Sequence, residues 1–288
     1  MAYKFEEYFD LPVQAKDGGP QVPHWFSNLV TVVLGAVARV AFRLEPQHIQ
    51  KIRAFQGRSG VLVTANHTSF LDVVMLYLVI RPNQWIRFMA RDTLFANAGG
   101  LMGYLIARLG AFPVARDSAD RASIKRAAAM LKRGEIVGIM PEGTRRGKSG
   151  TEPKIHAGAA FVARMGKVPI LPATVRNAEK VKQKGQGLRF PKITVDFGDP
   201  VLLSDFDFVD KRDRLDAASW YVMRESFALF QNVPREQVDM VALFPTGRDF
   251  TQLFAEHPLP QHTVEQVLAQ MEGQASGELS SGDVAKGA

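Results

Sequence analysis

Gly60-Val61-Leu62-Val63-Thr64-Ala65-Asn66-His67-Thr68-Ser69-Phe70-Leu71-Asp72 is the stretch that decides the fold. Its first six residues form an apolar run of strand length with no polar face, the pattern of a strand buried on both sides. From near Ser69 the chain turns apolar again to about Ile80, long enough for a helix, and Pro82 stops it. Residues 66 to 72 therefore form a strand-to-helix turn that carries a histidine and a carboxylate. Such a pair can act as a general base. Neutral imidazole titrates near working pH, and a carboxylate at its second nitrogen fixes the tautomer and stabilises the imidazolium. The same residues also read as a plain turn, in which Asn66 tolerates a left-handed backbone and Ser69 caps the helix.

Working outward, residues 135 to 140 read as a second buried strand, and it ends in Pro141-Glu142-Gly143-Thr144-Arg145-Arg146. Residues 85 to 90 predict a further strand, and 94 to 109 an apolar helix interrupted by Gly99, Gly100 and Gly103. A short strand over 111 to 115 is followed by a helix that Ser118 opens and Gly134 closes. Beyond lie a helix over 159 to 165, strands over 168 to 175 and 192 to 198, a surface helix over 210 to 231 and a helix over 264 to 271. Residues 273 to 288 are too poor in large apolar side chains to pack and are expected to be disordered. Strands separated by helices predict an α/β domain with a largely parallel or mixed sheet flanked by helices. In such sheets ligands bind beyond the carboxyl ends of strands, which would bring His67/Asp72 and Glu142/Arg145 to one crevice.

Residues 9 to 23, with Pro12, Gly18-Gly19-Pro20 and Pro23, read as a linker. The apolar stretch 25 to 38 falls short of the ~20 residues that span a bilayer. Asn28, Thr31, Gly35 and Arg39 make a narrow polar stripe on it, against a broad face of Leu29, Val32, Val33, Leu34, Val37 and Val40. That pattern suits an N-terminal amphipathic helix lying in a membrane interface, with Trp25 and Arg39/Arg43 near its ends; it also suits a helix packed across the core.

Composition narrows the chemistry. The 288 residues, 46% hydrophobic, suffice for one sizeable core. Zero cysteines exclude a disulfide scaffold, a thiolate nucleophile and a Cys-ligated metal, and the six histidines show no metal-ligand spacing, so no metal is expected. A net charge of +7 implies an anionic partner. No aromatic-basic nucleic-acid segment is present, so an anionic membrane surface is the expected partner and nucleic acid is not. The N-terminus has acids where a secretory signal needs bases.

Four blocks stand in order: NHTSFLD at 66 to 72, Gly110-Ala111-Phe112-Pro113-Val114-Ala115-Arg116, PEGTR at 141 to 145, and Val168-Pro169-Ile170-Leu171-Pro172-Ala173. In this the chain resembles the glycerolipid acyltransferases typified by 1-acyl-glycerol-3-phosphate acyltransferase, over roughly residues 55 to 205. Taken with the residue readings above, the resemblance predicts a linker and interfacial helix over 1 to 45, an acyltransferase domain over 46 to 245 and a partly disordered extension over 246 to 288. It implies that His67, held by Asp72, takes the proton of a lysophospholipid hydroxyl as it attacks an acyl thioester. The resemblance further implies that no cofactor is bound and that acyl-CoA or acyl carrier protein brings the acyl group, at the cytoplasmic face of a membrane.

Arg145 is the expected phosphate ligand, since guanidinium offers phosphate a forked pair of donors. Arg116 matches the arginine closing the second block, and Arg91 stands where the family commonly has lysine. Asp92 replaces a second lysine there, which leaves the acceptor less defined than the reaction. Glu142 is expected to accept from a substrate hydroxyl or to orient Arg145, and Gly143 and Thr144 to shape the turn and offer N–H groups to phosphate or an oxyanion. Leu94, Leu101, Met102 and Leu105 are candidates to line the acyl chain. The G-x-S-x-G elbow of serine hydrolases is absent. The run from Gly143 to Ser149 lacks one residue between its glycines for a nucleotide-binding phosphate loop.

Overall fold

A computed structural model describes residues 4–15, 18–81, 83–115, 120–146, 152–183 and 185–273. Seven strands form one sheet: β1 (Glu45–Gln47), β2 (Val61–Ala65), β3 (Ile86–Arg91), β4 (Phe112–Val114), β5 (Ile136–Ile139), β6 (Ile170–Arg176) and β7 (Thr194–Phe197), in the spatial order β1-β7-β6-β2-β5-β3-β4. From β6 to β4 all neighbours are parallel; β7 is antiparallel to β6, and β1 pairs parallel with β7. The sheet is therefore mixed. Every residue of β2 is buried, as its apolar run requires.

The helices are α1 (His24–Ala41), α2 (Gln50–Arg53), α3 (Leu71–Ile80), α4 (Asp92–Ala96), α5 (Leu101–Arg108), α6 (Arg121–Lys132), α7 (Gly158–Gly166), α8 (Arg214–Gln231), α9 (Met240–Leu243) and α10 (Thr251–Glu256), with a further helix over 264–273. Alternation along β2 sorts them into two layers. Leu62 points into a core shared with α6, α7 and α8, while Val61 and Val63 point into one shared with α3.

Several expectations need correction. The helix of residues 214–231 is no surface helix: α8 buries ten residues, packing on β6 and β2 while Trp220 and Tyr221 meet Phe250 and Phe254 on its outer side. No domain boundary falls at 245, because Phe250, Phe254, Val264 and Leu268 belong to the cores. Residues 9 to 13 are no free linker. Phe9 is buried against Phe95, and the carbonyls of Tyr8, Phe9 and Leu11 accept from Arg87. Asp120, whose side chain accepts from the Ser123 N–H, caps α6; of the disordered tail expected over 273 to 288, Gly273 instead ends the last helix, and the rest of it lies outside the described residues, as does Ser118.

α1 turns only part of its polar stripe inward: Thr31 and Gly35 are buried, while Asn28 and Arg39 are exposed. Ser27, Thr31, Gly35 and Ala38 are buried, while Trp25, Leu29, Val32, Val33, Leu34, Val37 and Val40 are exposed. Arg81 at the end of α3 donates to Ser27 Oγ and Asn28 Oδ1 (2.7 and 2.6 Å), so the two helices run antiparallel. By length and composition α1 does qualify as a membrane span, contrary to the sequence expectation. Its 18 residues amount to about 27 Å, and both ends are tied to the domain: His24 Nε2 lies 2.6 Å from the Val13 carbonyl, and the Ile193 N–H donates to the Phe42 carbonyl.

Candidate active site at the carboxyl edge of the sheet

β2 and β5 are adjacent and in parallel register, Thr64 beside Ile139, so the loops that follow them emerge side by side. Asn66 roots the first loop: it is buried, and its Oδ1 accepts from the Thr174 hydroxyl on β6 (2.7 Å). Its backbone is not left-handed, so its place rests on this inter-strand bond and not on turn conformation. Asp72, fully buried in the first turn of α3, organises the rest. One oxygen, Oδ2, accepts from the Thr68 and Ser69 N–H groups (2.7 Å each) and faces His67 Nδ1 at 3.1 Å. Ser69 Oγ contributes only a 3.3 Å bond to the Leu71 N–H. A carboxylate can only accept, so Nδ1 carries the proton and Nε2 presents its lone pair. The imidazole is 16% exposed, and Nε2 has no partner among the described residues.

The second loop is laced to the first. Glu142 Oε1 accepts from the His67 N–H (2.8 Å), the Arg146 N–H donates to the His67 carbonyl (2.8 Å), and Glu142 Oε2 lies 2.6 Å from Arg146 Nε. The Arg146 guanidinium sits between the Phe227 and Phe244 rings, 4.6 and 4.4 Å from their centroids, and donates to the Leu243 carbonyl. Burial pushes the Glu142 carboxyl above its ordinary range and the Arg146 guanidinium below, each opposed by the other's charge. Both Glu142 oxygens thus face protein partners, the His67 N–H and the Arg146 guanidinium, and none of its contacts is with Arg145 among the described residues. Gly143 adopts φ +61°, and its N–H donates to the Met140 carbonyl (3.0 Å), which closes the turn and removes that N–H as an oxyanion or phosphate donor. Thr144 is half-buried.

Arg145 is exposed and without a side-chain partner among the described residues. Arg91 ends β3 on the same edge, beside Val114 of β4; Arg116, two residues beyond Val114, lies outside the described residues. Asp92 takes the Thr93 N–H, so its charge is partly tied to the start of α4. Leu101 and Met102 are exposed, and Leu94 and Leu105 half-buried. No group of three His, Asp or Glu able to hold a metal occurs among the described residues.

Sequence reasoning missed two neighbours. The sequence reading assigns Arg146 no role in the site, although a second arginine directly after the motif is the available signal. His156 is exposed with its ring 3.5 Å from where a Cβ on Gly143 would stand, and its N–H bonds to the Pro141 carbonyl; nothing in its sequence context marks it.

Residues 45–176, which hold all four sequence blocks, match the Acyltransferase family. The chain is 34% identical over 159 residues to the 1-acyl-sn-glycerol-3-phosphate acyltransferase of Bacillus subtilis, covering 55% of this chain and 75% of that protein. It is 31% identical over 145 residues to the protein of the same name from Streptococcus pneumoniae, covering 50% of this chain and 51% of that one. The crystal structure of the 1-acyl-sn-glycerophosphate (LPA) acyltransferase PlsC from Thermotoga maritima aligns at a TM-score of 0.47 and 20% identity, over 67% of this chain and 78% of that chain. The chain belongs to the acyltransferase family.

Proposed function

We propose that this acyltransferase esterifies the free hydroxyl of 1-acyl-glycerol-3-phosphate with a fatty acyl group from acyl-CoA or acyl carrier protein, yielding phosphatidate. The observation that carries the proposal is the His67–Asp72 pair with Nε2 unengaged, at an edge where Arg145 stands unpaired among the described residues. As the hydroxyl oxygen attacks the thioester carbonyl, its proton passes to Nε2, and the Asp72 charge stabilises the imidazolium. The tetrahedral intermediate collapses by breaking the carbon–sulfur bond, and the departing thiolate takes the proton back from Nε2. No acyl-enzyme is formed. Arg145 binds the acceptor phosphate by its forked donors, with Arg91 at the end of β3 and the sequence-motif residue Arg116 as further phosphate contacts.

The acceptor is a membrane lipid, and α1 gives the protein a place on that membrane. With both ends tied to the domain and its apolar side chains outward, the helix lies in the interface of an anionic bilayer, on the cytoplasmic face, as a peripheral anchor. Incubating the purified protein with labelled acyl-CoA or acyl carrier protein thioesters and a panel of lyso-acceptors tests the reading. Labelled phosphatidate from lysophosphatidate is the expected product. Preference for another lysolipid or for glycerol 3-phosphate overturns the acceptor, and lipid binding without any ester product overturns the reaction.

A further inference from the structure

The rim of the site carries apolar side chains that stand exposed among the described residues. Because α1 and α3 run antiparallel, α1 finishes beside the start of α3, where Phe70, three residues after His67, is 55% exposed. The end of α1 is stitched to the start of β7: the Ile193 N–H donates to the Phe42 carbonyl (2.9 Å) and the Glu45 N–H to the Ile193 carbonyl (3.0 Å). β7 begins with Thr194 opposite Arg176, the last residue of β6. Residues 177 to 193 therefore leave and re-enter the sheet at its carboxyl edge, the edge of His67 and Arg145.

This segment is a closed loop. The Arg189 N–H donates to the Val181 carbonyl (2.9 Å), the Phe190 ring lies 5.5 Å from that of Phe42, and Arg43 Nη2 donates to the Phe190 carbonyl (3.0 Å). Despite these ties Leu188 and Phe190 are 62% and 52% exposed, and Val40, on the last turn of α1 two residues before Phe42, is 82% exposed. Their surroundings are basic: residues 177 to 193 contain Lys180, Lys182, Lys184, Arg189 and Lys192 against a single acid, Glu179, and Arg43 lies beside them. Exposed apolar side chains in a loop rich in cations complement a surface with an apolar interior and anionic heads.

Resting on the membrane reading above, we infer that the loop of residues 177 to 193 is a second bilayer contact. It inserts Leu188 and Phe190 into anionic phospholipid while Arg43, Lys182 and Arg189 meet the head groups. Together with α1 it holds the mouth of the site against the membrane that carries the acceptor, since two contacts fix an orientation that a single helix leaves free to roll.

An indole introduced at the loop tip reports this directly. In the full chain carrying W25F and F190W, the two remaining native tryptophans, Trp85 and Trp220, are buried, so position 190 supplies the exposed indole. On phosphatidylglycerol/phosphatidylcholine vesicles with brominated acyl chains, fluorescence from position 190 should be strongly quenched. L188S alone should weaken vesicle partitioning severalfold, and L188S/F190S roughly tenfold. Turnover of a short-chain, monomeric acceptor should stay at the wild-type level. An unquenched indole at position 190 in vesicle-bound protein, or wild-type partitioning of the L188S and L188S/F190S variants, overturns the loop contact and leaves α1 as anchor. Wild-type protein that ignores the vesicles altogether overturns both contacts.

Discussion

The two edges of the sheet both bury charge, and they do so to opposite ends. At the amino edge Arg87, fully buried at the start of β3, commits all five N–H donors within the protein: Nε to the Gly110 carbonyl, Nη1 to Leu11 and Glu135, Nη2 to the Tyr8 and Phe9 carbonyls. Burial holds its guanidinium below the ordinary range, with Glu135 opposing. At the carboxyl edge the closed pair, Glu142 and Arg146, only fastens one loop to the other. Beside it stand an imidazole nitrogen and an arginine with no partner among the described residues. Complete pairing marks the scaffold; incomplete pairing at an accessible edge marks the chemistry.

That contrast can be broken. Arg87→Ala removes the partner of Glu135 Oε2, leaving Arg133 as the one charged partner of that carboxylate among the described residues, and strands the Tyr8, Phe9, Leu11 and Gly110 carbonyls; it should lower folding stability by about 3–5 kcal/mol in chemical denaturation. Molecules that remain folded should keep their turnover. Asp72→Asn should do the reverse, lowering turnover about a hundredfold with little change in melting temperature. The reason lies in the geometry: two backbone N–H groups point at Oδ2, so the amide oxygen takes its place, Nδ1–H still finds an acceptor, and the charge that stabilised the imidazolium is what disappears. If Asp72→Asn melts like Arg87→Ala, the carboxylate is scaffold and the comparison fails.

The neighbouring arginines sharpen the same point within one loop. Arg145→Ala should leave stability within about 0.5 kcal/mol of wild type and raise the KM for a phosphorylated acceptor roughly tenfold while sparing that of the thioester. Equal losses for both substrates would mean that Arg145 shapes the site and does not hold phosphate. The smallest effect on chemistry belongs to α1. Val33→Asp with Val37→Asp should release the protein from anionic vesicles and leave a folded enzyme active on a monomeric acceptor; both side chains are already solvent-exposed, so the core does not feel the change. Unfolding of that variant would make α1 a core element.

Much of this was legible because β2 and β5 are buried on both faces and so advertise themselves as unbroken apolar runs, with their polar ends in plain view. What was illegible depends on contacts between distant segments. β1 is Glu45-Pro46-Gln47, without apolar periodicity, and exists only because β7 offers it an edge. α8 looked like a surface helix because its outer side is covered by Phe250 and Phe254 from further along the chain, a pairing that periodicity cannot reveal. Glu142 illustrates the limit at the site: the motif announced a carboxylate, while its partner, the His67 N–H, follows from the register of β2 with β5.

The central claim is that His67 Nε2 takes the acceptor proton. Its most direct test is the turnover of His67→Ala, in protein shown by circular dichroism and thermal melting to be folded, with lysophosphatidate and an acyl thioester at saturation. A loss of ~10²–10⁴-fold, with thioester binding retained, is the predicted result. Turnover within a few-fold of wild type in that folded variant would contradict the account.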